Sequence, residues 1–132
     1  MVSVLQASQT NLLLEQKKII DSIAEVGRDF VIVGRNADVL LEKYNPFNVF
    51  VCAETEAKIQ RCLERAKEGE TRKEIEHNMK RIDKNRAKTR EIITGSKWGD
   101  RKAYHLIVNT TGWNIKELTP AVADFAMRFF RR

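Results

Sequence analysis

Between Lys80 and Arg90 the sequence reads Lys80-Arg81-Ile82-Asp83-Lys84-Asn85-Arg86-Ala87-Lys88-Thr89-Arg90, a run in which Asp83 is the one acid among six cations. Like charges three or four positions apart on a helix repel by about 0.2–0.5 kcal/mol per pair, so such a run implies an anion that offsets the repulsion. Lys80, Asp83 and Arg86 share one helical face at i, i+3 and i+6. There the carboxylate can hold both cations toward one ligand, with Arg81 and Arg90 to one side. The chemistry suited to this pattern is the clamping of phosphate oxygens. A solvated charged face is the bland alternative.

A second constellation is Gly34-Arg35-Asn36-Ala37-Asp38, directly after the apolar run Phe30-Val31-Ile32-Val33. A guanidinium at a strand end can fork onto a phosphate, and Asp38 can accept from ribose hydroxyls or a base amino group. The same residues also suit a helix cap or an Arg35–Asp38 surface pair. Cys52 and Cys62 lack CxxC spacing and read as buried free thiols. His77 and His105 have no neighbours that would make a zinc site or a nucleophile and base, and read as structural. Trp98 reads as a loop plug and Trp113 as a packing residue.

The elements that must position these groups alternate between helix and strand. Helical periodicity runs from Thr10 to Val26 and stops at Gly27. Phe30–Val33 is short, apolar and β-branched, which predicts a strand buried on both faces. A short helix fits Ala37–Tyr44, and Asn45-Pro46 breaks the chain before a second strand over Asn48–Ala53. Thr55 is placed to cap a helix over Glu56–Lys67. Thr71-Arg72-Lys73-Glu74 is a capping box opening a long helix, about 71–95, that carries the basic run and closes at Gly95. Tyr104–Val108 reads as a third strand, and Thr119-Pro120 as the cap and first position of a terminal helix.

Together these predict one α/β domain over residues 1–132 with parallel strands, in which ligands gather at the carboxyl ends of the strands. The net charge of +6 and pI near 9.5 favour anionic partners. No apolar run approaches the roughly 18 residues of a membrane span, and Met1 opens no recognisable leader, so the chain reads as cytoplasmic with no membrane partner.

Four ordered strings are Phe30 to Asp38, Arg81-Ile82-Asp83-Lys84-Asn85-Arg86, Thr94 to Asp100 and Tyr104 to Thr110. Taken in order, they resemble the cytidylate kinase-like family of P-loop phosphotransferases, from about Gln9 to the C-terminus. The resemblance implies a partial P-loop NMP-kinase-like three-layer α/β fold, its parallel sheet of about three strands flanked by helices. It also implies ATP and Mg²⁺ as cofactors and phosphoryl transfer to a nucleoside monophosphate such as CMP. Carried over by position, Arg35 falls on the acceptor phosphate and Asp38 on the nucleoside. Asp83 and Arg86 form the Asp-x-x-Arg lid pattern, Lys80 takes the upstream basic position, and Arg81 joins Arg86 on the cofactor phosphates.

The departures from the family pattern are specific. No G-x-x-x-x-G-K-[ST] occurs, and the family's glycine-rich loop and central strand would precede Met1. The expectation is therefore a truncated protein, inactive alone, whose open strand edges are met by a homodimer, by direct pairing or by a separate N-terminal segment. Lys88-Thr89-Arg90 stands where two aromatics usually follow the lid arginine, and Asn36 where small residues or Cys are common. The alternative function is a non-catalytic basic module for nucleic acid or an acidic partner. No aromatics interleave the cations to stack bases, which disfavours nucleic acid.

Overall fold

The structure is a computed structural model, and it describes residues 4–34 and 36–131. By its contacts the chain divides into two compact units, one of residues 1–46 and 87–98, the other of residues 47–86 and 99–132.

In the first unit, α1 (Val4–Glu25) ends at Gly27, whose φ of +78° suits a residue without a Cβ. The expected apolar face is wider than the one the core uses. Ile20 is buried with Ala37, Leu40 and Leu41, with Leu13, Ala24 and Ile32 packed against them, while Leu12, Ile19, Ile23 and Val26 remain exposed. The second helix, α2 (Ala37–Leu40), is followed by a 3-10 turn over Glu42–Tyr44, so the predicted short helix forms in two pieces.

Phe30–Val33 corrects the sequence reading, because this segment is not a strand. Val31 and Val33 are 90% and 89% exposed, and only Ile32 reaches the first unit's core. An apolar β-branched run states a preference for a pleated, covered surface, yet a strand exists only where a ladder partner meets its N–H and C=O groups. No partner for this run is present among the described residues.

The second unit holds the sheet. Strands β1 (Val49–Cys52) and β2 (Leu106–Asn109) pair in parallel, Val49 opposite Leu106 through Cys52 opposite Asn109. Parallel strands need a long crossover, and here α3 (Thr55–Glu64) and α4 (Arg72–Thr94) lie between them in sequence. The α/β class and parallel pairing follow the prediction, with two strands in place of about three. Asn48 fastens the start of the ladder. Its carbonyl accepts from the His105 N–H at 2.8 Å, and its own N–H donates to His105 Nδ1 at 3.0 Å. The His105 ring packs against Phe47 and Phe129, with centroids 5.9 and 4.6 Å away, and Phe125 stacks on Phe47. This is the structural role expected of that histidine.

Helix α3 contributes Ile59, 2% exposed, whose burial is worth about 1.5–3 kcal/mol. Thr55 is its first residue and not its cap: Glu54 holds the capping position without a side-chain bond, and the Glu54 N–H donates instead to Thr111 Oγ1 at 2.8 Å. Helix α5 (Ile115–Phe130) likewise starts before the expected Thr119-Pro120. Asn114 Oδ1 accepts the Lys116 N–H at 3.0 Å, so an Asx cap upstream nucleates the helix and Pro120 falls inside it. The Thr119 hydroxyl donates to the Ile115 carbonyl at 3.2 Å beside that proline. Trp113, expected in the packing, is 55% exposed. No helix among the described residues is long and apolar enough to cross a membrane.

Candidate phosphate-binding site

Helix α4 forms where the sequence places it. The capping box is reciprocal: the Glu74 N–H donates to Thr71 Oγ1 at 3.2 Å, and the Thr71 N–H donates to Glu74 Oε2 at 3.3 Å. At the other end the Gly95 N–H donates to the Glu91 carbonyl at 2.8 Å, with Gly95 at φ +71°. The helix is thereby fixed at both ends, and its cations have set positions along it.

Within the second unit, Asp83 is the centre of a small charge cluster. Lys58 Nζ, from α3, donates to Asp83 Oδ2 at 2.7 Å, and Arg86 Nη1 lies 3.5 Å from Asp83 Oδ1. The carboxylate is 23% exposed, whereas the Arg86 side chain is 63% exposed. A half-buried acid held by Lys58 thus orients an arginine whose remaining N–H groups face solvent. Arg86 has five donors in a planar fork, and one ion-pair contact leaves most of them for an anion.

Lys80 does not share Asp83 as expected. Its Nζ donates to Glu76 Oε1 at 2.8 Å. Helical side chains lean toward the N-terminus, so Lys80 meets the residue one turn before it more readily than the one after. Bonding from Lys80 holds the Glu76 carboxyl below the usual glutamate range. Lys80, Arg81, Lys84 and His77 instead line a shallow cavity of about 290 Å³. The residues assigned to one phosphate clamp therefore divide into two groups: Asp83 with Arg86, and Arg81 with Lys80 at the cavity.

In the first unit, Asp38 is engaged by Arg90. Arg90 Nη1 donates to Asp38 Oδ1 and Nη2 to Asp38 Oδ2, both at 2.7 Å, and Nη1 also donates to Asn36 Oδ1 at 3.2 Å. Asn36 reaches that position with φ +53°, a left-handed conformation that asparagine tolerates better than most residues. Arg90 is 5% exposed, so this fork is a buried tie between α4 and α2. Asp38 keeps about half of its lone-pair directions for another donor. Arg35, expected beside it on the acceptor phosphate, lies outside the described residues.

The carboxyl end of the sheet is also cross-braced. Arg61 Nη1 donates to Thr110 Oγ1 at 2.7 Å and Nη2 to the Thr110 carbonyl at 2.6 Å. The Thr110 hydroxyl in turn donates to the Cys52 carbonyl at 3.0 Å, which ties the strand ends together. Lys58, Arg61 and the role of Arg90 were not legible in the sequence, because each acts on a residue 25 to 52 positions away. Cys52 and Cys62 are free and half-buried, and among the described residues no group of three or more His, Cys, Asp and Glu could hold a metal ion.

The model of the cytidylate kinase-like family matches residues 3–112. Among solved structures, the chain is similar to an uncharacterized protein from Eubacterium ventriosum, with a TM-score of 0.78 and 28% identity. That match covers 88% of this chain and 65% of the other, so this chain spans less than two thirds of its neighbour's length. No curated protein matches it.

Proposed function

The chain belongs to the cytidylate kinase-like family, and on that premise we propose that it serves phosphoryl transfer from ATP to a nucleoside monophosphate such as CMP, with α4 supplying the cations that meet the phosphates. The observation that carries the reading is the Lys58–Asp83–Arg86 cluster: a half-buried carboxylate fixed at 2.7 Å by one cation presents an exposed arginine through another contact at 3.5 Å. Phosphoryl transfer asks little covalent chemistry of a protein. Negative charge spreads over the phosphoryl oxygens, and fixed cations stabilise it.

In this reading Arg86 contacts phosphate oxygens, while Asp83 and Lys58 are positioning residues that hold its guanidinium in place. Arg35 takes the acceptor phosphate and Asp38 the nucleoside, through the lone pairs that Arg90 leaves open. Lys80 and Arg81 add positive potential from the cavity side of the helix. ATP, when bound, supplies the transferred phosphoryl group. Asp83 is a poor ligand for Mg²⁺ because two cations already engage it, so the cluster suits phosphate oxygens and not the metal. The sequence carries no glycine-rich P-loop to cradle a β-phosphate, and turnover by this chain on its own is expected to be negligible.

Calorimetric titration of the full chain with CMP and with ATP tests the proposal. Both nucleotides should bind, and Arg86→Gln should weaken ATP by about tenfold or more, the loss expected for one charge-assisted contact. Absence of binding by either nucleotide at millimolar concentration would overturn it.

A further inference from the structure

The outer edge of β1 is open, and the same chain carries a run of strand composition with no ladder. The Asn48 and Cys52 carbonyls accept from the Leu106 and Thr110 N–H groups at 3.3 and 2.8 Å. Backbone groups alternate in direction along a strand, so Val49 and Val51 turn theirs to the opposite edge. Among the described residues the sheet has no third strand, and neither valine makes a backbone bond outside the sheet. Native edges are usually blunted by a charge, a proline or a bulge. Val49–Cys52 holds no charge and no proline, and Val51 is 62% exposed.

Phe30–Val33 is the complementary half. Its exposure alternates: Val31 and Val33 stand clear at 90% and 89%, while Ile32 between them turns to the first unit's core. That period of two is the one a strand needs, with one face held and the other free. The run has the length of β1. Laid antiparallel, with Val31 opposite Val51 and Val33 opposite Val49, it meets the open backbone groups of β1, and the four valine side chains share one face. The same register sets Arg28 opposite Glu54, both exposed and neither in an ion pair among the described residues. A parallel alignment of the valines would set Arg28 against Pro46 and leave Glu54 unmatched.

We propose that Phe30–Val33 of one copy adds as an antiparallel strand to the β1 edge of a second copy, and that the exchange is reciprocated in a symmetric dimer. The chain itself selects the occupant. Each copy supplies one run and one edge, so a closed pair satisfies both, whereas a partner of other sequence that covered the edge would leave the run exposed. Two short ladders make a small interface, so dimerisation is expected at micromolar concentration and not far below it. The inference uses no residue of the phosphate cluster and does not rest on the phosphotransfer reading.

The test is sedimentation velocity of the full chain from about 1 to about 200 μM, a range that spans micromolar dissociation. The native chain should pass from monomer to dimer. Val31→Lys/Val33→Lys and, separately, Val51→Lys should each weaken the dimer about tenfold or more, since charge on a strand edge opposes pairing. Each replaces an exposed side chain, and far-ultraviolet circular dichroism checks the fold. Arg28→Glu and Glu54→Arg should each weaken the dimer about threefold, and Arg28→Glu/Glu54→Arg should restore it, because the opposed charges are exchanged in place. A structural role for either residue alone would instead give two losses and no rescue. A native chain that stays monomeric, a dimer indifferent to the lysine variants, or assemblies that grow past two copies overturns the exchange. Loss of the dimer in the lysine variants without rescue by the charge swap overturns the antiparallel register. A monomeric chain that still binds CMP and ATP would sink the exchange while leaving the phosphotransfer reading intact.

Discussion

Removing either member of the Arg90–Asp38 fork should destabilise the first unit severely, and removing both should harm it less. Arg90 is 5% exposed and gives its two terminal nitrogens to the two oxygens of Asp38 at 2.7 Å. Breaking a buried pair from one side leaves an uncompensated charge and costs about 3–5 kcal/mol, whereas replacing both members by apolar groups of similar volume is close to neutral. The Asp38 side chain keeps 16% exposure, so the lower figure applies, about 3 kcal/mol for Arg90→Met or for Asp38→Leu. At roughly 4 °C per kcal/mol this lowers the melting temperature by roughly 10 °C. Arg90→Met/Asp38→Leu should cost less than either single change, giving a coupling free energy above about 3 kcal/mol. Urea unfolding followed by fluorescence in a Trp113→Phe background leaves Trp98 to report on the first unit, and Trp113 is exposed enough to be replaced. If Arg90→Met alone costs under about 1 kcal/mol, or the two changes simply add, the fork is a solvated surface pair and the reasoning from burial is wrong.

Gly99 holds φ +82°, and a Cβ there would lie 3.1 and 3.2 Å from the Phe50 ring, so Gly99→Ala should cost about 1–2 kcal/mol of stability by urea denaturation. Gly112, at φ +78° with nothing near its would-be Cβ, is the control: Gly112→Ala should cost about 1 kcal/mol, and equal losses at both sites would remove the role given to Phe50. The Glu76 carboxyl is held low by its bond from Lys80, so its contribution is present above the ordinary glutamate range and is lost as pH falls through the depressed value. The melting-temperature advantage of the native chain over Glu76→Gln should therefore be small and positive at neutral pH, vanish in acid, and shrink with added salt. An advantage that grew on acidification would contradict the assignment.

Sequence and structure agree most closely where the determinants are local. Thr71 and Glu74 are three residues apart and bond each other, and Gly95 ends α4 at the expected place. Agreement fails where a local signal has a competitor. Thr119-Pro120 looks like a helix start, but Asn114 is an equally good cap placed earlier, and the chain takes the longer helix. Phe30–Val33 has the composition of a strand, yet pairing is a property of two segments. The candidate site divides in the same way. Asp83 and Arg86 are near neighbours on one helix and could be read from spacing, whereas Lys58 and the Arg90–Asp38 fork join positions that no periodicity connects.

The bond from the Asn48 N–H to His105 Nδ1 makes that imidazole a natural spectroscopic probe. A ring nitrogen that accepts a backbone N–H carries no hydrogen of its own, so the neutral ring is confined to its Nε2–H tautomer, and the two ring nitrogens should give well-separated ¹⁵N resonances. Sliding β2 by one residue would turn His105 to the opposite face and release Nδ1. The averaging of those two resonances would report the loss of strand register directly, at a single residue and without a label introduced by mutation.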